Sequence, residues 1–143
     1  MNTFASFWQF WALLAAIFAA LTAIFAKIGV DSIDSDLATF LRTLVIVAVL
    51  IAFLSAKGGW QTLSEVTPRA TAFLVLSGLG TGASWLCYFR ALKLGDASRV
   101  APIDKLSVVF VAILGVVFLG ENLSMTHWIG IGLIAGGAIL VAL

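Results

Sequence analysis

Phe7 to Ala26 reads FWQFWALLAAIFAALTAIFA, twenty residues without a formal charge. A helix rises about 1.5 Å per residue, so about 20 mainly apolar residues cross the roughly 30 Å hydrocarbon core of a bilayer. The run is Ala-rich, as the apolar part of a signal peptide is. No Lys or Arg precedes it, however, and it is long, so it reads as the first transmembrane helix.

Working outward, the same signal recurs four times. Apolar runs cover about Leu37 to Leu54, Ala70 to Leu94, Ala101 to Leu119 and Met125 to Leu143. Between the first two lie Lys27, Gly29, Asp31, Asp34 and Asp36, a short polar turn. Ser55 to Arg69 forms the longest connection. It ends in Thr67-Pro68, a helix start with Thr as N-cap and Pro at the first helical position. Gly95-Asp96-Ala97-Ser98 closes helix 3, and Glu121-Asn122-Leu123-Ser124 closes helix 4, with Ser124 placed to cap helix 5. The expected architecture is a single all-α integral membrane domain over residues 1–143 with five transmembrane helices.

Composition agrees. Of 143 residues, 62% are hydrophobic and 10% charged, against about 25% charged in an average soluble domain. Mean hydropathy is +1.15. So few polar residues cannot coat a soluble domain of this size, which excludes a soluble enzyme, a disordered tail and a nucleic-acid binder. Net charge is +1 and points to no anionic partner. The single cysteine, Cys87, excludes a disulfide within the chain, and His127, the single histidine, cannot build a metal site alone. No cofactor is expected, and no nucleophile–base pair suggests an enzyme.

Loop charges bear on orientation. Lys57 and Arg69 lie on the N-terminal side of the bilayer; Lys27, Lys93 and Arg99 lie on the other, with Arg90 just inside helix 3. The bias weakly favours a cytoplasmic C-terminus and is small enough to permit both orientations. Trp8, Trp11, Trp60 and Trp128 gather near the N-terminal side, as an aromatic belt does.

Ionisable residues inside a membrane are costly and mark function by default. Arg42, Asp104, Lys105 and Arg90 all enter from the same side. On one reading Arg42 pairs with Asp104 and the others extend to the headgroups. On the other, Arg42, Arg90 and Lys105 outnumber Asp104 and suit a carboxylate- or phosphate-bearing solute. Asp104 and Lys105, about 100° apart on a helix, are poor mutual partners.

In helix 3, Ser77, Thr81, Ser84 and Tyr88 share one face, with Trp85 near mid-span. Such a polar stripe faces protein or a cavity rather than lipid. Either it walls a solute pocket, or the hydroxyls bond their own backbone and Trp85 fills packing space. Gly78 and Gly82, Gly132 and Gly136, and the stripe Ala12, Ala16, Ala20, Ala23 permit close helix approach, within one bundle or, for helix 5, across a subunit boundary. Glu121, at a helix end where the dipole disfavours it, is expected to pair with Lys57 or Arg69 or to tie down the next turn.

Arg42 in helix 2, the run Tyr88-Phe89-Arg90-Ala91-Leu92-Lys93-Leu94-Gly95-Asp96-Ala97-Ser98-Arg99-Val100-Ala101-Pro102, Leu119-Gly120-Glu121 and Trp128-Ile129-Gly130 together resemble an EamA domain. That is the repeat unit of the drug/metabolite transporter superfamily, and the resemblance spans essentially the whole chain. It implies a secondary transporter, mostly an exporter of amino acids and other small metabolites, built from two five-helix repeats of opposite orientation with a pocket between them. One such repeat is present here, so the resemblance implies an antiparallel homodimer, to which the near-even loop charges are suited. Two departures stand out. Leu106-Ser107 is followed by Val108, where many EamA domains carry a proline that kinks helix 4. Helix 1 has no carboxylate, which argues against the cation/proton exchange of the smaller four-helix relatives.

The sequence thus reads as a multi-pass protein of the cell inner membrane that moves a small polar, anionic or zwitterionic solute by alternating access. Trp85, Tyr88, Ser84 and Thr81 are the expected solute contacts, and Arg42 and Asp104 the gate or coupling pair. The rival readings are a non-transporting accessory subunit and a subunit of a lipid-linked sugar flippase.

Overall fold

The computed structural model describes residues 7–143. It contains helices α1 (Trp8–Val30), α2 (Ser35–Ala56), α3 (Pro68–Leu94), α4 (Ala97–Asp104), α5 (Ser107–Leu119) and α6 (Met125–Ala142), with a 3-10 turn at Gly59–Glu65 between α2 and α3. No strand occurs among the described residues. Among the described residues, five spans are long and apolar enough to cross a membrane, α4 and α5 together making the fourth. Large side chains along them are exposed in the isolated chain, Leu79 at 66% and Phe118 at 77%. A bilayer supplies the apolar contact these need, while each helix satisfies its own backbone.

The caps explain the boundaries. Thr67 Oγ1 accepts the Ala70 N–H at 3.2 Å, so α3 starts at Pro68 on the expected cap. Ser124 Oγ accepts the His127 N–H, and His127 Nδ1 accepts the Ser124 N–H in return, a closed capping box. Asp34 starts α2 two residues before the apolar run begins. Its carboxylate accepts the Asp36 N–H at 2.9 Å and the Leu37 N–H at 3.2 Å. Those bonds, first from Leu37 and then from Asp36, hold its pKa below the usual carboxylate value, and Lys93 and Arg90 add to the effect.

The fourth span differs from the continuous helix expected at 101–119. It starts at Ala97 and breaks at Lys105–Leu106. There Leu106, Val108 and Val109 bond the carbonyls three residues back, each at 3.0 Å, in place of the α-helical i−4 pattern. The break forms with Val108 where a kinking proline was missing. Pro102, one turn earlier, lacks the N–H that would reach Ser98 and so weakens the ladder entering the break.

The chain divides into two compact units. In the unit Ala26–Lys93, Val30, Leu92 and Phe89 are the most deeply buried apolar side chains, beside Ser35 and Thr39. Lysines fasten its helix ends. Lys27 Nζ donates to the Leu92 carbonyl at 2.8 Å, and Lys93 Nζ donates to the Ile33 carbonyl. The second unit joins the preceding part of α1 to Leu94–Leu143. Within it α6 packs on α4 and α5, and Arg99 Nη2 donates to the carbonyls of Ala142 and Leu143, capping the end of α6.

Candidate functional site

In the Ala26–Lys93 unit, α2 and α3 bring a cation onto an aromatic cluster. Arg42 lies seven residues into α2, about 10 Å from its start. Its guanidinium carbon sits 3.4 Å from the Trp85 ring centroid and 5.7 Å from that of Phe89. Trp85 in turn meets Tyr88 edge-on at 5.5 Å and Phe89 at 5.7 Å. Arg42, Trp85 and Tyr88 are half-buried, and Phe89 is buried at 3% exposure.

The chemistry follows from what Arg42 lacks. Among the described residues it forms no ion pair. The ring faces stabilise its charge electrostatically, yet its N–H groups lie in the guanidinium plane and are not satisfied by a π-face. A planar fork of donors held against aromatic rings matches a carboxylate or phosphate.

The expected contact residues share this part of α3 in different states. Trp85 and Tyr88 belong to the cluster. Ser84 and Thr81 are exposed on the turns before it, and Thr81 donates its hydroxyl to the Ser77 carbonyl at 2.9 Å. That bond is the own-backbone alternative for this residue. The sequence reading missed Phe89, although its i, i+4 spacing from Trp85 was a visible signal.

Asp104 falls in the other unit, at the break in the fourth span. Its Oδ2 accepts from Lys105 Nζ at 2.9 Å. This corrects the expectation that the two are poor partners. Lys105, the C-cap of α4, keeps right-handed helical backbone angles, so the contact comes from the reach of its long, exposed side chain rather than from a change in backbone direction.

Glu121 is the acidic residue expected to pair with Lys57 or Arg69 or to tie down the next turn. Among the described residues its carboxylate makes no ion pair. It folds back along α5 instead, so that a methyl group placed on Gly115 would lie 2.7 Å from Glu121 Oε2. Among the described residues, a Cβ added at Gly78, Gly82, Gly132 or Gly136 meets no neighbouring atom within 4 Å. No group of acidic, His or Cys side chains that could hold a metal occurs among the described residues.

Comparison with known proteins adds an independent line. A family model described as the EamA-like transporter family matches residues 6–143. A protein of Sinorhizobium sp. named "Uncharacterized transporter in cobO 3'region" is 64% identical over 135 residues, 94% of this chain and 96% of its own length. The Bacillus subtilis "Uncharacterized transporter YxxF" is 30% identical over 91% of this chain, a match that takes up 40% of that longer protein. A Proteus mirabilis protein named as a probable 4-amino-4-deoxy-L-arabinose-phosphoundecaprenol flippase subunit, ArnE, is 26% identical over 59% of this chain and 75% of its own length. No solved structure matches at a significant level.

Proposed function

Because this chain belongs to the EamA-like transporter family, we propose that it moves a small anionic or zwitterionic metabolite, such as an amino acid, across the cell inner membrane by alternating access. The observation that carries this reading is the Arg42 guanidinium held on Trp85 with no carboxylate partner among the described residues. Arg42 binds the solute's acidic group. Trp85 and Tyr88 wall its apolar part, and the exposed hydroxyls of Ser84 and Thr81 lie along the approach. Asp104, paired with Lys105 at the broken fourth span, acts as gate or coupling group; a mid-span stretch of i−3 bonds is a frequent mark of a hinge.

The working unit is an antiparallel homodimer. Two features support it. YxxF is long enough to hold a second region of this length beside the one that matches. Among the described residues of its own unit, a Cβ added at Gly78 or Gly82 of α3, or at Gly132 or Gly136 of α6, meets no atom within 4 Å, which suits these faces to close approach by another copy.

The test is counterflow in liposomes. Purified protein loaded with an unlabelled amino acid should accumulate the labelled one. Arg42→Ala should abolish this, and Arg42→Lys should reduce it by keeping charge without the planar fork. The similarity to ArnE supports a second reading, a subunit of a lipid-linked sugar flippase. Failure of the chain to move any solute by itself, with activity regained beside a second membrane protein, would favour that reading.

A further inference from the structure

The unit containing α4, α5 and α6 holds a groove between α5 and α6 that the solute site does not use. It has a volume of about 370 Å³, and its walls include Val108, Val111, Ile131 and Ile134. One end is polar and carries Glu121, Thr126 and His127.

Two glycines put the carboxylate there. Gly120 turns the chain in the left-handed region at φ 69°, where a side chain is strained. The Glu121 N–H then bonds the Gly115 carbonyl at 3.1 Å. Gly115 has no Cβ to block Oε2, so the carboxylate lies back against α5. Among the described residues it has no cationic partner. His127 supplies the opposite character. Its Nδ1 accepts the Ser124 N–H at 3.1 Å, so the neutral ring carries its proton on Nε2 as a donor. The Thr126 hydroxyl is a second donor.

From Thr126 to Ile134, α6 rises about 12 Å. That is close to half of a roughly 30 Å hydrocarbon core, the depth of one leaflet. We infer that the groove binds a phospholipid with a primary-amine headgroup, the ammonium on Glu121, the phosphate on His127 and Thr126, and one acyl chain along α5 and α6. A water-soluble solute has no use for an apolar channel one leaflet deep. A quaternary ammonium headgroup favours aromatic walls, and among the described residues no Phe, Tyr or Trp lines this groove.

Native mass spectrometry of the purified full chain tests this, with phosphatidylethanolamine, phosphatidylcholine and phosphatidylglycerol of identical chains titrated in turn. The expected result is about tenfold tighter retention of phosphatidylethanolamine, the scale of one hydrogen bond to a charged group. Glu121→Gln should erase the preference. Gly115→Ala, which displaces the carboxylate without removing it, should weaken retention similarly and serves as the readout if Glu121→Gln fails to fold. Equal retention of the three lipids, or a preference that survives both variants, overturns the proposal. So does glycerophosphoethanolamine, which lacks acyl chains, competing as strongly as the whole lipid, since that marks a soluble-amine site. If filling the groove by Ile131→Trp changes only the dimer fraction and leaves lipid retention intact, the groove belongs to a second copy of the chain, and the lipid proposal falls.

Discussion

The Arg42 guanidinium lies 3.4 Å from the centroid of the Trp85 ring, across from α2 to α3. A cation over an indole is worth about 0.5–1 kcal/mol when exposed and about 2 kcal/mol or more when desolvated. Arg42 is half-buried, so a double-mutant cycle of Arg42→Ala and Trp85→Leu, read from thermal unfolding in detergent, should give a coupling between those limits. Additive losses would mean that the stack does not form.

Solute binding separates a pocket wall from a packing residue. Trp85→Ala should weaken amino-acid binding to the folded fraction while the protein still folds, and Trp85→Phe should retain more affinity by keeping an aromatic face. If Trp85 served only packing, stability would fall by about 3–5 kcal/mol, as for large-to-small core changes, with the dissociation constant unchanged. Binding measured on folded protein distinguishes the two outcomes.

Topology is open to direct labelling. In a Cys87→Ser background, single cysteines at Lys57 and Lys93 should each react with a membrane-impermeant maleimide from both sides of the membrane, as an antiparallel dimer requires. One-sided labelling at both positions would exclude dual insertion.

The Asp34 cap gives a pH dependence whose sign follows from its lowered pKa. A carboxylate whose folded pKa lies below its unfolded one stabilises the fold fully above the unfolded value. That contribution disappears as pH falls through the lower folded value. Stability should therefore be flat above about pH 5 and decline in acid below about pH 4. Asp34→Asn keeps a cap acceptor but cannot titrate, so its acid decline should be shallower. Identical acid profiles for the two proteins would remove Asp34 from the account.

The five spans were legible because hydropathy and helix length act along the sequence, and Thr67-Pro68 and Ser124 announced their caps through local chemistry. Asp34 was visible only as part of a polar turn, because three aspartates there competed for the cap and only geometry selects one. The break at Lys105–Leu106 was not legible, since the expected marker, a proline after Ser107, is absent and the weakening comes from Pro102 one turn earlier. The Arg42–Trp85 stack depends on the rotation of α2 against α3, which residue spacing within either helix does not fix. Glu121 was read from its charge alone. Its fold-back onto Gly115 needed the left-handed turn at Gly120, a conformation that the residue type permits but does not compel.

Asp104 offers the sharpest contrast in magnitude. Its partner is Lys105 at 2.9 Å, with the two side chains 36% and 61% exposed. Pairs this open to solvent contribute about 0–1 kcal/mol, so Asp104→Ala should lower stability by no more than about 1 kcal/mol. A buried pairing with Arg42, the alternative that the sequence raises, would instead cost about 3–5 kcal/mol on loss of one partner. Much of that loss would return in the Arg42→Ala/Asp104→Ala double variant. A gating role makes a second, separate demand: the Asp104→Ala protein should bind solute with wild-type affinity yet exchange it across liposomes far more slowly. Thermal unfolding decides the partner, and binding measured beside counterflow decides the role. A small stability loss together with an unchanged counterflow rate would leave Asp104 as a local clasp on the helix break and move the coupling function elsewhere.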